Sequence, residues 1–412
     1  GIMSEYGMMS VDDTSIDMTD EQQTAVEQVL NYDGRSLVLT GRAGAGKTTV
    51  IRRAIRTAPD KFSILAPTGR AAVNCGGSTV DSAFKFNRET WAVNDPRGQA
   101  DMMESLPRRI IIDEASMIGT MMSHIIYAAA RKFNKTIIMV GDWGQACPVK
   151  DTWPFDTDLF LESSVTNLQE SHRQQGDFLG QLNLIRRGEV GSLAQFAYFK
   201  ECIGEIDEKA ICLYATNALA NRRNQEKFEE HIERTGHEVF RLEPTITTNL
   251  AQYRDPEKTC ELTKIYRGRI SVGARVMITR NSRGLSYANG DTGYIMEMNK
   301  ETKMIHICLD RTGDAVTMEA TPVEIKDPLG AVVCTVRGYH FQLGYALTIH
   351  KAQGATIPRV NVSLSSIGKM PPAGRHGLAY VALSRCTSRE GLVIDAWHPG
   401  CIYCDDEVVH ML

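Results

Sequence analysis

The chain has 412 residues, too many for one compact core, which points to two to four domains. Hydrophobic residues make up 42% and charged residues 23%, excluding global disorder, collagen and coiled coil. The formal net charge of −4 excludes a binder driven by overall positive charge, so any nucleic-acid site must be a local basic groove.

No apolar run approaches the ~20 residues of a membrane span. No Lys or Arg precedes Arg35, so neither a secretory nor a transit peptide is expected. Gly1-Ile2 ahead of Met3 reads as a remnant of expression. An intracellular protein is expected, cytoplasmic in a bacterium or phage and nuclear or mitochondrial in a eukaryote. Ten scattered cysteines fit a reducing compartment. His398, Cys401 and Cys404 have partial zinc spacing, but a second Cys-x-x-Cys pair is missing, so free thiols are the better reading.

Short β-branched and apolar runs alternate with helical stretches, the pattern of an α/β protein with parallel sheets. Buried strands are predicted at Ser36 to Thr40, Phe62 to Leu65, Arg109 to Ile112 and Thr136 to Val140, with helices at Lys47 to Thr57 and Ala115 to Phe133. A polar stretch from Lys85 to Arg108 reads as an insertion. The α/β pattern restarts at Ile211 to Tyr214, followed by a charged helix from Asn217 to about Arg234. From about Gly273 to Ala320 apolar and polar residues alternate, with turn signals at Asn289-Gly290-Asp291 and Arg311 to Asp314. That is the pattern of a small antiparallel barrel inserted in a second α/β unit, which resumes near Tyr345.

Gly41-Arg-Ala-Gly-Ala-Gly-Lys47-Thr48 matches the phosphate-binding loop pattern between a strand and a helix. Its glycines let backbone N–H groups face phosphates at a helix N-terminus. Lys47 suits the β- and γ-phosphates and Thr48 a Mg²⁺ ion. Ile110 to Asp113-Glu114 is an apolar strand ending in two carboxylates. One acid can hold Mg²⁺ and the second can polarise the attacking water, so ATP hydrolysis follows. The next strand ends in Gly141-Asp142-x-x-Gln145, placing an amide where it can sense the γ-phosphate.

Together with Met18-Thr-Asp-Glu-Gln22, Ala66-Pro67-Thr68-Gly-Arg70, Leu168-x-x-x-x-Arg173-Gln, Gly273-Ala-Arg-Val-Met, Asn289-Gly-Asp-Thr-Gly293, Thr348-Ile-His350-Lys-Ala-Gln353-Gly354 and Tyr380-Val-Ala-Leu-Ser-Arg385, these motifs resemble the superfamily-1B helicases. The similarity is to the PIF and RecD-like group, which includes the phage helicase Dda, and it covers about residues 18 to 395.

The resemblance implies two RecA-like motor domains, each with an insertion. The expected division is a tail, 1–17; a first motor, 18–84 plus 108–165; an inserted pin or wedge, 85–107; a second motor, 166–272 plus 340–412; and an inserted SH3-like β-barrel, 273–339. It implies Gln22 as adenine reader and Arg173 and Arg385 as cations reaching the γ-phosphate across the cleft, where permanent planar charge suits the transition state. The implied nucleotide site is Gln22, Gly41, Gly44, Ala45, Gly46, Lys47, Thr48, Thr49 and Gly354, with Thr48 and Asp113 on Mg²⁺ and Lys47, Asp113, Glu114, Gln145, Arg173 and Arg385 catalytic. Pro67, Thr68, Thr79, Thr348 and His350 are implied along a single-stranded DNA groove, and Gln353 with Gly354 would couple that groove to the nucleotide.

The implied activity is an ATP-dependent motor moving 5′ to 3′ on single-stranded DNA and unwinding forked or 5′-tailed duplex. It would act as a monomer without membrane attachment, with single-strand-binding or replisome proteins as candidate partners. A superfamily-1 RNA helicase is the alternative, since phosphate contacts are shared. A scaffold with an inactive phosphate loop conflicts with the intact Lys47, Asp113, Glu114, Gln145 and Arg385. Three departures from the family pattern stand out: Asp81 where a histidine is usual, Ala146-Cys147-Pro148 after Gln145, and the unmatched Lys85 to Arg108 segment. Phe86 and Trp91 in that segment are candidates to stack on the last base pair. The Arg186-Arg187 pair reads equally as a solvated helix face or a DNA contact.

Overall fold

A computed structural model describes Tyr6 and residues 17–42, 44–148, 150–169, 174–282, 284 and 286–412. Six parallel strands form the first sheet, in the order Ser78–Thr79, Phe62–Ala66, Arg109–Ile112, Thr136–Gly141, Ser36–Gly41 and Ser164–Leu168. Ser36–Gly41 and Thr136–Gly141 are buried at every position. Helices cover both faces, which is why these strands read as continuous apolar runs. The expected helix over 115–133 is interrupted: a 3-10 turn, Ala115–Met117, precedes the helix Thr120–Lys132.

The strand Ser164–Leu168 pairs with Ser36–Gly41, so the first unit runs past the expected boundary at 165. The inserted 85–107 stretch is a small hairpin, Phe86–Asn87 against Ala92–Val93, followed by the helix Pro96–Ser105. Phe86 is buried in the first unit's core with Trp91 stacked on it at 5.9 Å, so Phe86 is not available to a base pair.

A second parallel sheet has the order Ala346–Thr348, Ile211–Tyr214, Val360–Val362 and Leu392–Ile394. Inserted into it is an antiparallel region larger than the alternation predicts. Five strands between Arg275 and Leu343 form one sheet. Thr245–Thr248 pairs with Val332–Gly338, and Phe240–Leu242 pairs with Gly268–Ile270. The insertion thus begins near 240 rather than 273 and ends after 343 rather than 339. Its early strands are short and only half buried, so they lack the apolar alternation that marks the later ones. Gly290 closes one turn at φ 102°, and a Cβ there would lie 2.2 Å from the Thr356 carbonyl oxygen, which holds the insertion against the second α/β unit.

The last residues also depart from the expected division. Val408, Met411 and Leu412 are buried in the first unit's core rather than the second's. The Thr40 hydroxyl donates to Met411 O at 3.2 Å and Trp153 Nε1 donates to Asp405 Oδ2 at 3.0 Å. The end of the chain therefore straps the second unit onto the first.

Candidate active site and nucleic-acid groove

In open parallel sheets, ligands gather beyond the carboxyl ends of the strands. Here those ends carry Gly41, Thr68, Thr79, Asp113 and Asp142 in the first unit and Thr348 in the second. A cavity of about 650 Å³ is lined by Gln22, Gly44, Gly46, Lys47, Thr48, Thr49, Asp113, Glu114, Asp142 and Gln145 from the first unit. Gln353, Gly354 and Arg385 line it from the second. Gly41, which ends its buried strand, and Ala45, which is buried in the first unit's core, do not line this cavity.

Gly46 caps the helix Lys47–Thr57 in the left-handed region at φ 92°. A Cβ at Gly46 would sit 2.1 Å from Gln22 Nε2, so glycine is needed where the loop meets that side chain. Gln22 also completes a capping box with Thr19 at the start of the helix Asp20–Asn31, which fixes its side chain against the loop. Lys47 Nζ donates to the carbonyls of Gly41 and, at 3.2 Å, of Arg42. Burial lowers its pKa, while Asp142, Glu114 and Asp113 favour the charged form.

Asp113 is buried and its backbone N–H donates to Leu65 O at 2.9 Å, holding the carboxylate at the strand end. Glu114 follows in the left-handed region at φ 50°, a strained conformation for a non-glycine residue that turns its carboxylate away from the strand. Asp113 Oδ1 accepts a 2.8 Å hydrogen bond from the Tyr6 hydroxyl, a contact the sequence reading missed because nothing local marks a tyrosine for a site 107 residues away. Gln353 Nε2 donates to Gln145 Oε1 at 2.7 Å and to Glu114 Oε2 at 3.4 Å, joining the two units across the cavity.

Arg385 is fully buried. Its guanidinium is held by backbone carbonyls of Val381 at 2.7 Å and Ala355 at 3.0 Å, and by Ser384 Oγ at 3.0 Å. It faces the cavity from the second unit yet is clamped by its own loop. Arg173 lies outside the described residues. Arg186, read as a solvated or DNA-contacting residue, is instead buried against the other unit. Its Nε donates to Asp142 Oδ1 at 3.1 Å and its Nη2 at 2.5 Å, and both side chains are under 10% exposed. A Cβ at Gly144 would lie 2.7 Å from Arg186 Cγ, so only glycine admits that approach.

Each groove threonine caps a short helix. Thr68 accepts from Ala71 N at 3.2 Å, Thr79 from Ser82 N at 3.2 Å and Thr348 from Lys351 N at 3.3 Å. Such a cap stabilises the helix by ~1 kcal/mol, and the Thr79 hydroxyl in turn donates to Ser82 Oγ at 2.9 Å. Pro67 is buried beside Thr68, and His350 is exposed after Thr348. Desolvation at the groove and then the nearby Arg70 cation lower the His350 pKa. Asp81 is neutralised by a bidentate pair with Arg88 at 2.6 and 2.8 Å, so this acid braces the inserted hairpin rather than opposing the groove.

All ten cysteines are free thiols. Cys401 Sγ donates to His398 O, and burial pushes its thiol up to about 12. Among the described residues no cluster of metal-binding side chains occurs, and no helix is long and apolar enough to cross a membrane.

A family model described as an AAA domain matches residues 17–208. The ATP-dependent DNA helicase Pif1 of Bdellovibrio bacteriovorus is 29% identical over 431 residues, covering 98% of this chain and 93% of its own. The crystal structure of Pif1 helicase from Candida albicans matches with a TM-score of 0.68 at 25% identity, over 96% of this chain and 98% of that one. The Bacteroides Pif1 structure with ADP-AlF4 matches with a TM-score of 0.77 at 22% identity, over 96% of both chains.

Proposed function

We propose that the chain is a Pif1-like helicase of superfamily 1B that uses ATP hydrolysis to move 5′ to 3′ on single-stranded DNA and separate the duplex ahead. The observation that carries this reading is the two-sided cavity, in which groups from both parallel-sheet units meet and are hydrogen-bonded through Gln353 and Gln145. The relatives' names favour DNA over the RNA alternative.

In this reading Lys47 exchanges the carbonyls of Gly41 and Arg42 for the β- and γ-phosphates. Thr48 and Asp113 line the same cavity and offer hard oxygen donors, a set that fits Mg²⁺. They would hold that ion, which supplies charge neutralisation on the phosphates when bound. Glu114 accepts the proton of the attacking water, a role worth about 10²–10⁴ in rate. Arg385, presented from the second unit, stabilises the charge on the transferred phosphoryl oxygens once its loop closes, and Arg173 is proposed to share that role.

The Thr68, Thr79 and Thr348 helix starts carry the strand backbone without reading bases, as a translocating motor requires. Gln353 lies one turn beyond Thr348 and touches Gln145 and Glu114, so the strand and the γ-phosphate act on one linked set of side chains.

The test is strand displacement on duplexes with a 5′ or a 3′ single-stranded tail, with ATPase measured on poly(dT) and poly(U). Unwinding of the 5′-tailed duplex and preferential stimulation by poly(dT) are expected. Unwinding of only the 3′-tailed duplex would overturn the polarity, and stimulation by poly(U) alone would overturn the DNA assignment.

A further inference from the structure

We propose that the seam between the first motor unit and the inserted strands holds a seat for a backbone phosphate of the tracked strand, formed by Arg70, Lys264, Arg280 and Lys326 with His340. The inference rests on the helicase reading and adds to it a binding site outside the threonine-capped groove.

The seam encloses a cavity of about 350 Å³. Four cationic side chains line it against one acid, Glu324, in a protein whose overall charge is negative. Arg70 comes from the helix Gly69–Cys75 of the first unit, and the others come from the insertion and its connecting segments. Among the described residues, Arg70, Arg280 and Lys326 have no ion-pair partner. Burial disfavours the charge on Arg70, offset in part by the pull of Glu261.

Two nitrogens at this seam are buried and lack a hydrogen-bond partner: Arg280 Nε and His340 Nε2. Burial and the neighbouring Arg280 hold the His340 ring neutral, so it carries a single N–H. A desolvated Arg70, a buried Arg280 Nε without an acceptor and an orphaned ring nitrogen are costly, and an anion accepting from them removes that cost.

Position selects a strand phosphate. Arg70 lies two residues beyond Thr68, and its charge is felt at His350, two residues beyond Thr348. The helix Pro256–Thr263 ties this corner together: Glu261 pairs with Lys351 at 3.4 Å, and a Cβ at Gly69 would lie 2.9 Å from Leu262. A strand crossing the caps of Thr348 and Thr68 therefore meets the cationic seam next. Guanidinium and ammonium groups there would hold the backbone without selecting sequence.

The experiment measures oligo(dT) affinity against salt for the wild type, Arg280→Ala and Arg280→Lys, with melting temperature recorded in added inorganic phosphate. Arg280 is outside the nucleotide cavity, so basal ATPase should not change. Loss of one phosphate contact should flatten the log–log salt slope by about 0.7 in Arg280→Ala, with the slope restored in Arg280→Lys. An unchanged slope, or weaker binding without a slope change, would overturn the seat and leave the helicase reading intact. Stabilisation by inorganic phosphate that depends on Arg280, with no effect on the strand slope, would assign the cavity to a free anion and also overturn it. Failure of wild-type protein to bind oligo(dT) would remove the helicase reading along with the seat.

Discussion

Gln353 reaches from the second unit to donate to Gln145 Oε1 of the first at 2.7 Å, and the same nitrogen lies 3.4 Å from Glu114 Oε2. One side chain thus connects the strand end after Thr348 with the Gln145 amide and the Glu114 carboxylate, the two groups proposed to act on the γ-phosphate. Replacing Gln353 with Ala should leave nucleotide affinity within a few-fold and reduce DNA-stimulated ATPase about tenfold or more. Steady-state ATPase with and without saturating oligo(dT) reads this directly, and unchanged stimulation would place the coupling elsewhere.

Lys47→Ala should abolish hydrolysis with the fold retained, since Lys47 Nζ donates to the Gly41 and Arg42 carbonyls of its own unit rather than to a core partner among the described residues. Glu114→Gln keeps the shape and removes the basic oxygen, so nucleotide should still bind while turnover falls about 10²-fold or more. A fall below about tenfold would mean that another group activates the water.

The Arg186–Asp142 pair bridges the units while almost fully buried, so removing one partner strands a charge. Arg186→Met alone should cost about 3–5 kcal/mol, and combining it with Asp142→Asn should recover much of the loss. Urea unfolding of the single and double variants checks this. Equal stability of Arg186→Met and wild type would show that the pair does not hold the units together.

His376 accepts from Asp405 N at Nδ1 (3.0 Å) and donates from Nε2 to Trp143 O at 2.8 Å, so its hydrogen bonds require the neutral ring. Burial lowers its pKa, against the upward pull of the Trp143 carbonyl, Asp405 and Asp142. The unfolded chain binds the proton first as pH falls below about 6.5, so this contribution to stability is complete above that pH and is lost with acid. Melting curves from pH 7.5 to 5 should show a steeper acid loss for wild type than for His376→Gln. Parallel curves would exclude His376 as the acid-sensitive group.

The inserted hairpin is anchored through Phe86 in the core and the Arg88–Asp81 pair, leaving its turn at Glu89 and Thr90 exposed and Trp91 half buried. If this hairpin separates the strands, Trp91→Ala with Glu89 and Thr90 changed to Gly should impair unwinding at least several-fold while single-stranded DNA still stimulates ATPase. Full unwinding in that variant would refute the assignment, and loss of ATPase as well would make the turn structural.

Much of the architecture was legible in the sequence because it rests on local signals. The apolar runs 109–112 and 211–214 coincide with strands, and the helix from Lys47 begins where a glycine-rich loop must turn. The carboxylates after Ile112 and the amide at Gln145 were legible because a parallel sheet delivers every strand end to one side. Less legible were the limits of the insertion, whose strands at 240–248 are short and half exposed, and the split of the predicted 115–133 helix, where the backbone turns extended at Ile118 and Gly119.

The sequence by itself located the glycine-rich loop and the acid pair, because each depends on residues close together in the chain. Only the tertiary structure decided which distant residues share the site. Arg186 left the solvated set because Gly144 lets its stem approach Asp142, and Tyr6 reached Asp113. The chain end crossed back to the first core, and Arg70 came to face Arg280 and His340 across a seam. Pairings of this kind depend on how two separately folded units dock. Docking is set by buried charge and shape at their interface, which no local periodicity encodes.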